Sequence, residues 1–356
     1  MARELGLGGT ERQLTEIALS LDRDRFEPHV GCFTGGGFRQ SDLHEAGVPI
    51  LELGVRSLVS LSALSGARRM AAYLSRHQIS LVHAFDVPLD LFAVPVARCC
   101  RTPVVLSSQR AHRSLTPGAT RHLLRVMDRI VDGIVVNSRA VARELAEDDG
   151  VPPSMLRLAY NGLDTRVFRP GGERADVPWA GTPTVIGTVC ALRPEKGLAI
   201  LMEAFQMVKA NRPGVKLLIV GSGPMLPQLR AVAGDDCHFQ PAQRNVAPWL
   251  RAMDIFVLPS LSEALSNSLM EAMGCGCCPV ASRIGGNPEL VTDDDTGLLF
   301  PVGDAPALSQ RLARLVDQPE YRRTLAARAG RRMLEHFTRE QAARAIAAIY
   351  QEFLSR

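Results

Sequence analysis

The fold is decided by the stretch Ser260–Ser282, which reads SLSEALSNSLMEAMGCGCCPVAS and directly follows the apolar run Asp254–Pro259. The apolar run has the length of a buried strand. The leucine, methionine and alanine positions after it predict a helix. We expect this helix to end at Gly274 or Gly276, because glycine readily adopts the conformation that terminates a helix. The stretch therefore predicts a strand, a turn and a helix, which is the repeating unit of a parallel α/β sheet.

Two glutamates of this unit lie on either side of the helix start. Glu263 falls in the turn, and Glu271 falls one to two turns inside the helix. Ser266 or Asn267 can cap the helix, whose first N–H groups and partial positive charge attract anions. Carboxylates beside such a site can accept hydrogen bonds from sugar and ribose hydroxyls, which suits a nucleotide-sugar diphosphate. From the spacing alone, an ordinary β–α unit with two surface glutamates is the better interpretation, because such pairs are common.

The stretch as a whole changes this interpretation. With Glu-x7-Glu embedded in it, the sequence resembles the donor-site signature of family 4 retaining glycosyltransferases, which have the GT-B fold. The resemblance implies that Glu263 faces the donor sugar and that Glu271 holds the ribose. It also implies that the backbone of Leu265, Ser266 and Asn267 contacts the sugar and the phosphates. The expected fold class is therefore α/β, with two Rossmann-like, doubly wound domains facing a cleft.

A second loop, Cys190–Gly197, reads CALRPEKG and also favours an anionic ligand. It follows the first predicted strand of the second half, at the strand end where doubly wound sheets bind ligands. Lys196 and Arg193 could neutralise a leaving pyrophosphate there, although a solvated turn could have the same composition. The family usually has its arginine five residues before the lysine, and that position is Ala191 here. The resemblance therefore implies Lys196 as one clamp residue, with Arg193 as the nearest replacement for the other.

Other loops supply further donor and acceptor candidates. We expect the nucleotide base to contact the backbone near His238 and Phe239. His83 follows a predicted strand and resembles the first histidine of the family's His-x-His pair. Arg110 and His112 follow the next strand, and Arg110 could steer an anionic acceptor. Because a lone histidine is more often structural than catalytic, these three residues are acceptor-side candidates only.

The N-terminal segment Gly8–Arg12 resembles the family's Gly-Gly-x-Glu-Arg loop, which implies that Gly8 and Gly9 help to bind the donor. In the family this loop follows the first strand of the N-terminal sheet. No apolar run precedes the loop here. We therefore expect a sheet that lacks its first strand, through a start codon assigned too late or a shortened chain. Backbone groups of the neighbouring strands would then be left unpaired, which is costly.

The rest of the chain alternates short apolar runs with helical patterns, as βαβ units do. We expect an acceptor-side domain over residues 1–170, which closes at residues that resemble the family's Asn-Gly-x-Asp…Phe-x-Pro hallmark. A linker over 171–183, a donor domain over 184–337 and a helix over 338–356 that packs back toward the N-terminal domain should follow. Candidate strands outside the signature lie at residues 29–33, 50–53, 81–84, 104–107, 134–137, 185–189, 217–220, 238–239, 285–289 and 296–300.

Length and composition agree with a two-domain globular protein. The chain has 356 residues, of which 46% are hydrophobic, enough for two full cores. A net charge of +4 is too modest to suggest a nucleic-acid partner. No apolar run approaches the roughly 18–20 residues of a transmembrane helix, and no secretion-signal pattern is present. The eight cysteines show neither disulfide nor zinc spacing, so we expect free thiols in a reducing cytoplasm.

One basic stripe raises the question of a membrane. Arg121, Arg125 and Arg129 recur every four residues and would share one face of a predicted helix, beside apolar residues such as Leu123 and Val126. An anionic membrane could bind such a face, although a solvated face is the better interpretation. We expect a cytoplasmic protein, with peripheral contact at the inner face of the membrane as the alternative.

The sequence therefore predicts a retaining glycosyltransferase that moves a sugar from a nucleotide diphosphate donor to a glycan or lipid-linked acceptor. No metal and no cofactor is expected, because GT-B enzymes generally use cationic side chains and helix dipoles instead; Asp293–Asp295 is interpreted as a solvated turn. Two alternatives stay open. A GT-B nucleotide-sugar 2-epimerase would need acid/base carboxylates and histidines across the cleft. A non-catalytic GT-B scaffold is favoured by Ala191 and by the missing first strand.

Overall fold

The short apolar runs of the sequence form β-strands that pair in parallel, as their alternation with helices predicts. The computed structural model of the protein describes residues 1–6, 8–179 and 184–356. The predicted linker over 171–183 falls partly on residues 180–183, which lie outside the described residues.

The chain divides into two units. Unit 1 contains Met1–Gly162 together with Arg339–Arg356, and unit 2 contains Leu163–Thr338. The division falls earlier than the sequence pattern suggested, because the segment that begins at Leu163 packs on unit 2. The Leu163 amide donates a hydrogen bond to the Phe337 carbonyl at 2.8 Å.

The elements of unit 1 alternate along the chain. Its strands in the described residues are β1 (Val30–Cys32), β2 (Ile50–Glu52), β3 (Leu81–Ala84), β4 (Val104–Gln109), β5 (Gly133–Val136) and β6 (Leu156–Leu158). Its helices up to this point are α1 (Gly9–Ser20), α2 (Gln40–Glu45), α3 (Leu61–Arg76), α4 (Val87–Cys99), α5 (Gly118–Asp128) and α6 (Arg139–Asp148). Short polar side chains set two of the helix starts: Asp86 accepts the Leu89 amide, and Ser138 accepts the Val141 amide.

The sequence predicted that the sheet of unit 1 lacks its first strand, and in the described residues a short extended segment precedes α1 instead. Strands β1 and β2 pair with each other, and β3 to β6 form a separate four-stranded sheet. Residues Met1–Arg3 bridge the two: the Ala2 amide donates to the Gly31 carbonyl at 3.0 Å. On the other side, the Phe85 amide donates to the Met1 carbonyl at 2.9 Å. In the described residues, this segment therefore forms hydrogen bonds with some of the backbone N–H and C=O groups that a missing strand would leave unpaired.

Unit 2 contains a six-stranded parallel sheet in the described residues. Its strands are β7 (Thr184–Val189), β8 (Val215–Val220), β9 (Cys237–Gln240), β10 (Ile255–Leu258), β11 (Cys278–Ser282) and β12 (Leu298–Phe300). Its helices are α7 (Leu198–Lys209), α8 (Leu226–Val232), α9 (Ala247–Arg251), α10 (Asn267–Gly274), α11 (Asn287–Leu290), α12 (Ala305–Asp317) and α13 (Pro319–His336). The spatial order is β12-β11-β10-β7-β8-β9. This order reverses at β7, and doubly wound sheets bind ligands at such a point.

One predicted strand was wrong. Residues 285–289 were expected to close the sheet, but they lead into helix α11, and the strand beside β10 is β11 instead. Strand β11 was missed because it holds a proline and follows closely spaced glycines and cysteines, which are poor strand signals. Pro279 lacks a backbone donor, yet it is buried within the strand, in register with Phe256 of β10.

The last helix, α14 (Arg339–Leu354), belongs to unit 1. Its apolar face contributes Ile346, Ile349, Tyr350 and Phe353 to the core of that unit. Charged contacts flank this face, among them Arg157 to Glu352 at 2.6 Å. The Arg157 guanidinium lowers the pKa of Glu352 to about 2.

Candidate active site

The loop after β7 and the loop after β10 are locked together at the carboxyl edge of the unit 2 sheet. Residues Pro194–Lys196 form a single 3-10 turn that ends at Gly197, which has φ +63°. A side chain at Gly197 would meet the Pro259 carbonyl oxygen at 2.1 Å, so only glycine permits this approach. The Leu261 amide also donates to the Glu195 carbonyl at 2.8 Å. The backbone of the lysine-bearing turn is therefore fixed against the glutamate-bearing turn.

This arrangement brings Lys196 and Glu263 together. Lys196 Nζ donates to Glu263 Oε2 at 2.7 Å, and Ser260 Oγ donates to the same oxygen at 3.1 Å. The two charged side chains are 22% and 12% exposed, so they are partly shielded but still reachable from solvent. An ammonium group beside an anchored carboxylate can attract an anion and accept a hydrogen bond from a hydroxyl group within one small region.

Helix α10 begins directly after this turn. Ser266 is its N-cap, and its Oγ accepts the Leu269 amide at 3.3 Å. The backbone of Leu265 to Asn267, singled out in the sequence, therefore forms the helix start, which is the end of a helix that carries the partial positive charge. Glu271 lies within α10 and is buried.

Arg193 lies in the same loop as Lys196 but makes weaker contacts. Its side chain is 64% exposed, and its Nη1 lies 3.9 Å from Glu195 Oε1. An exposed pair at this distance contributes little to holding the guanidinium in one place. The structure therefore holds Lys196 at the Glu263 turn by a direct bond, while Arg193 reaches from the loop into solvent.

A glycine-containing loop after β8 packs against the loop after β7, and no site role was predicted for it. A side chain at Gly221 would meet the Cys190 carbonyl oxygen at 1.9 Å, so the loops after β7 and β8 touch through backbone. The Leu192 amide donates to the Ser222 carbonyl at 3.0 Å. The Ala242 amide, after β9, donates to Ser222 Oγ at 3.1 Å. The Gly-x-Gly-Pro pattern directly after a strand was the available signal for this loop.

His238 and Phe239 lie on the edge strand β9, where their side chains contact other residues of unit 2. The His238 ring stacks on Trp249 with centroids 6.4 Å apart, and Trp179 meets it edge-on at 6.2 Å. The Arg230 guanidinium lies 5.8 Å from the centre of the Phe239 ring. Contact between a base and the backbone here stays a prediction.

The acceptor-side interpretation of His83 needs correction. The His83 side chain is 5% exposed, and both ring nitrogens are engaged: Nδ1 with the Tyr350 hydroxyl and Nε2 with Ser108 Oγ, each at 2.8 Å. Burial, followed by the nearby Met1 ammonium and Arg110, lowers the pKa of His83 well below its usual value. A neutral, fully bonded imidazole in the interior stabilises the fold and has no free nitrogen for an acceptor.

The other unit 1 candidates are also tied to neighbours. Arg110 Nη1 donates to Asn161 Oδ1 at 2.8 Å, and its guanidinium lies 4.9 Å from the centre of the Phe85 ring. Burial lowers the pKa of Arg110 to about 10. His112 pairs with Glu144 through Nδ1. These side chains lie after β4, as predicted, but each already has a partner within unit 1.

The glycine pair of unit 1 lies at the start of a helix. Gly8 is the N-cap of α1, and its carbonyl accepts the Arg12 amide at 3.1 Å. A side chain at Gly8 would overlap the Glu11 carboxylate, 2.1 Å from its Oε2. Gly8 and Gly9 therefore form a helix start of the kind that binds anions, and their proposed role toward the donor stays a prediction.

Two arginines of the basic stripe of α5 pair with a buried carboxylate, while Arg129 is exposed. Arg121 Nε and Arg125 Nε donate to the same buried oxygen of Asp149, at 2.8 and 3.1 Å. These two arginines therefore neutralise a buried carboxylate, whereas the side chains of α5 that face solvent include Leu123 and Val126. No helix in the described residues is both long and apolar enough to cross a membrane.

Two further sequence features have simple structural roles. Asp293–Asp295 forms a turn whose carboxylates pair with arginines, including Arg283 at 2.5 Å and Arg328 at 2.8 Å. All eight cysteines have free thiols, and those of Cys99 and Cys100 are exposed. Burial raises the pKa of the Cys190 thiol, in the site loop, to about 11, so it is a neutral thiol at physiological pH.

Comparison with known proteins follows the same division of the chain. Residues 183–318 match the family model for glycosyl transferases group 1, and residues 7–167 match the model for glycosyltransferase family 4. A D-inositol 3-phosphate glycosyltransferase of Saccharomonospora viridis is 29% identical, over 82% of this chain and 74% of its own length. A GDP-mannose-dependent monoacylated alpha-(1-6)-phosphatidylinositol monomannoside mannosyltransferase of Corynebacterium glutamicum is 31% identical, over 78% and 77%.

Solved structures agree on the fold. The structure of Anabaena HepE in complex with UDP matches 99% of this chain and 98% of its own, with a TM-score of 0.83 and 20% sequence identity. The α/β fold class predicted from the sequence is thereby confirmed.

Proposed function

Because the chain belongs to family 4 of the glycosyltransferases and is a group 1 glycosyltransferase, we propose that it transfers a sugar from a nucleotide diphosphate donor. The acceptor in this proposal is a glycan or a lipid-linked molecule, and the configuration at the anomeric carbon is retained. Unit 2 is the donor domain in this proposal, and unit 1 is the acceptor-side domain. The observation that carries the proposal is the contact between Lys196 and Glu263 at 2.7 Å, beside the start of α10.

In the proposed reaction, the bond between the anomeric carbon and the β-phosphate oxygen breaks while the acceptor oxygen bonds to the same face of the sugar. The acceptor hydroxyl gives its proton to a phosphate oxygen of the leaving nucleotide diphosphate. The Lys196 ammonium and the N–H groups at the start of α10 stabilise the charge that develops on that diphosphate, and Arg193 adds a second cation. The reaction in this form needs no metal, no cofactor and no enzymatic nucleophile.

Glu263 orients the donor sugar. One of its oxygens accepts from Lys196 and Ser260, and an ionised carboxylate has about four lone-pair sites. In the proposed role, the carboxylate accepts hydrogen bonds from sugar hydroxyls. Glu271 is proposed to hold the ribose, and the backbone near His238 to hold the base.

The nucleotide and the acceptor are proposed only as classes. One solved neighbour is a complex with UDP, and one relative is named as GDP-mannose-dependent, so UDP and GDP are the first nucleotides to test. The relatives' names include an inositol phosphate and a phosphatidylinositol mannoside, which supports a polyol phosphate or lipid-linked acceptor. We also propose that the protein is cytoplasmic and makes peripheral contact with an anionic membrane. The exposed side chains of Leu115, Leu123 and Val126 offer apolar surface for such a contact.

The test is sugar transfer and donor hydrolysis with a panel of labelled UDP and GDP sugars, using the wild type and Glu263→Ala. The proposal predicts that the wild type consumes at least one donor and that Glu263→Ala loses most of that turnover. Glu203→Ala is the matched control, because Glu203 is an exposed glutamate on α7 of the same unit. Full activity of Glu263→Ala would exclude the donor role, and a wild type that consumes no donor in the panel would count against the proposed reaction.

A further inference from the structure

A chain of buried polar groups runs beneath Glu263. Ser260, Ser282 and Asn287 are all fully buried. Asn287 Nδ2 donates to the Ser282 carbonyl at 3.0 Å and lies 3.5 Å from Ser282 Oγ. Ser282 Oγ donates to the Ser260 carbonyl at 2.6 Å, and Ser260 Oγ donates to Glu263 Oε2 at 3.1 Å. The bonds to the Ser282 and Ser260 carbonyls fix the backbone of both residues, and the Ser260 hydroxyl reaches the Glu263 carboxylate from that fixed backbone.

This chain connects three loops of the site. Ser260 ends the run after β10, Ser282 is the last residue of β11, and Asn287 starts α11. The loop before α11 also reaches the glutamate turn directly, because the Gly286 amide donates to the Glu263 carbonyl at 3.4 Å. A side chain at Gly286 would lie 2.1 Å from the Ala264 carbonyl oxygen, which shows how closely the two loops approach. The position of Glu263 thus depends on residues that lie outside its own turn.

Within the part of the chain that the structure describes, Asn287 has a buried, unsatisfied polar atom, and packing alone does not explain why the fold bears its free-energy cost. Its Oδ1 is buried and has no hydrogen-bond partner among the described residues. A buried, unsatisfied acceptor destabilises a fold, and an apolar side chain of similar shape would avoid that cost. The Ser282 carbonyl would still keep the Ile284 amide as a donor, at 2.9 Å. The stability of unit 2 therefore does not require an asparagine here.

We infer that Ser260, Ser282 and Asn287 are positioning residues: they hold one oxygen of the Glu263 carboxylate against Lys196 and thereby set the position of the carboxylate relative to the donor sugar. This inference rests on the proposed function of Glu263. A carboxylate displaced by a fraction of an ångström would still be charged and present, but it would meet the sugar less well as the transition state forms. The loss should therefore appear in kcat rather than in the KM for the donor.

The chain offers a direct probe of this position, because it has only three lysines. Lys196 bonds to Glu263, whereas Lys209 and Lys216 both pair with Asp236 and serve as internal controls. Reductive methylation with carbon-13 keeps the positive charge of each lysine and gives it an NMR signal. The signal of Lys196 reports the geometry of the ion pair whether or not any donor is turned over.

The experiment compares the wild type with Ser282→Ala, Asn287→Leu and the control Val280→Ala. Val280 is fully buried on β11, so its truncation loosens the same strand without touching the polar chain. For Ser282→Ala and Asn287→Leu we expect kcat to fall about 10- to 100-fold with donor KM changed less than about threefold. We also expect the Lys196 signal to shift while the other two lysine signals stay in place. Asn287→Leu should melt at or above the wild-type temperature, and Val280→Ala should melt lower but keep its kcat.

Two results would overturn the inference: a Lys196 signal that is unchanged in both Ser282→Ala and Asn287→Leu, or a kcat that falls equally in Val280→Ala and thus follows stability alone. A wild type that transfers no sugar would refute the proposed function instead, and the lysine signals would still decide whether the polar chain positions the ion pair.

Discussion

Both units carry basic side chains at or after the carboxyl ends of parallel strands, but these side chains have different surroundings. In unit 2, Lys196 meets Glu263 where both are still partly exposed. In unit 1, His83 bonds to Tyr350 and Ser108 in the interior, and Arg110 bonds to Asn161. The same topology therefore leaves a charged pair partly exposed in unit 2 and ties basic side chains to neighbouring residues in unit 1.

The difference comes from what covers each strand end. In unit 1, helix α14 brings Tyr350 into the core, where its hydroxyl reaches the His83 ring. In unit 2, glycines let neighbouring loops approach through backbone, as at Gly197 and Gly221, and the Lys196 and Glu263 side chains stay partly exposed. A polar residue after a strand is thus a ligand-binding candidate only if no distant element covers it.

The largest change in donor turnover is expected when Lys196, the lysine of the site, is removed. Lys196→Ala should lower donor turnover by about 10²–10³-fold, because one preorganised charge that stabilises a transition state contributes on this scale. Lys209→Ala is the control, since Lys209 forms an ion pair in the same unit away from this loop. Steady-state kinetics with the best donor would measure both variants. Equal losses in the two variants would mean that the site has no special dependence on Lys196.

Removing the buried histidine of unit 1 should lower the stability of the protein and leave its turnover unchanged. His83→Ala leaves the Tyr350 and Ser108 hydroxyls without their partner and opens a cavity, which should cost about 2–4 kcal/mol of unfolding free energy. Turnover per folded molecule should stay close to that of the wild type. Denaturant unfolding alongside kinetics would check this, with the exposed His122→Ala as control. A stable His83→Ala that has lost turnover would restore a catalytic role for His83.

Parts of both regions could be predicted from sequence. The bounds of β3 follow from local periodicity, and the motif resemblance singled out Lys196 and Glu263, which the structure then brings together. What failed depended on distant residues. Nothing near His83 in the sequence indicates that Tyr350 would bond to it, 267 positions later. Strand β11 has no regular strand pattern, and the roles of Ser282 and Asn287 depend on loops that meet only in the folded chain.

The buried state of His83 also predicts a pH dependence. Its pKa is lowered in the folded state, mainly by burial, so below about pH 6.5 the unfolded chain takes up a proton that the folded chain does not. The contribution of His83 to the free energy of unfolding is therefore fully present above about pH 6.5. Below that pH it decreases by about 1.4 kcal/mol per pH unit.

Urea unfolding at pH 7.0 and 5.5 of the wild type and His83→Gln would measure this term. The wild type should lose about 1.4 kcal/mol more than His83→Gln across that interval. Other groups, including Asp86 and Asp90, titrate in both proteins, so the difference isolates His83. Identical losses would show that His83 is protonated in the folded protein.

The smallest effect is expected at the exposed cation of the site. Arg193→Ala should reduce turnover by no more than about tenfold, because a side chain that is 64% exposed and loosely paired loses much of its attraction to solvent screening. Arg193→Lys should recover most of the loss. A defect as deep as that of Lys196→Ala would show that Arg193 folds over the diphosphate and shares the clamp equally.

The central claim is that the nucleotide diphosphate binds at the carboxyl edge of the unit 2 sheet. Hydrogen–deuterium exchange of the whole protein, with and without saturating UDP or GDP, tests it most directly. We predict slower exchange in residues 190–197, 221–225 and 260–267 for the nucleotide that calorimetry shows to bind. Slower exchange confined to other segments, or no binding of either nucleotide, would contradict the claim.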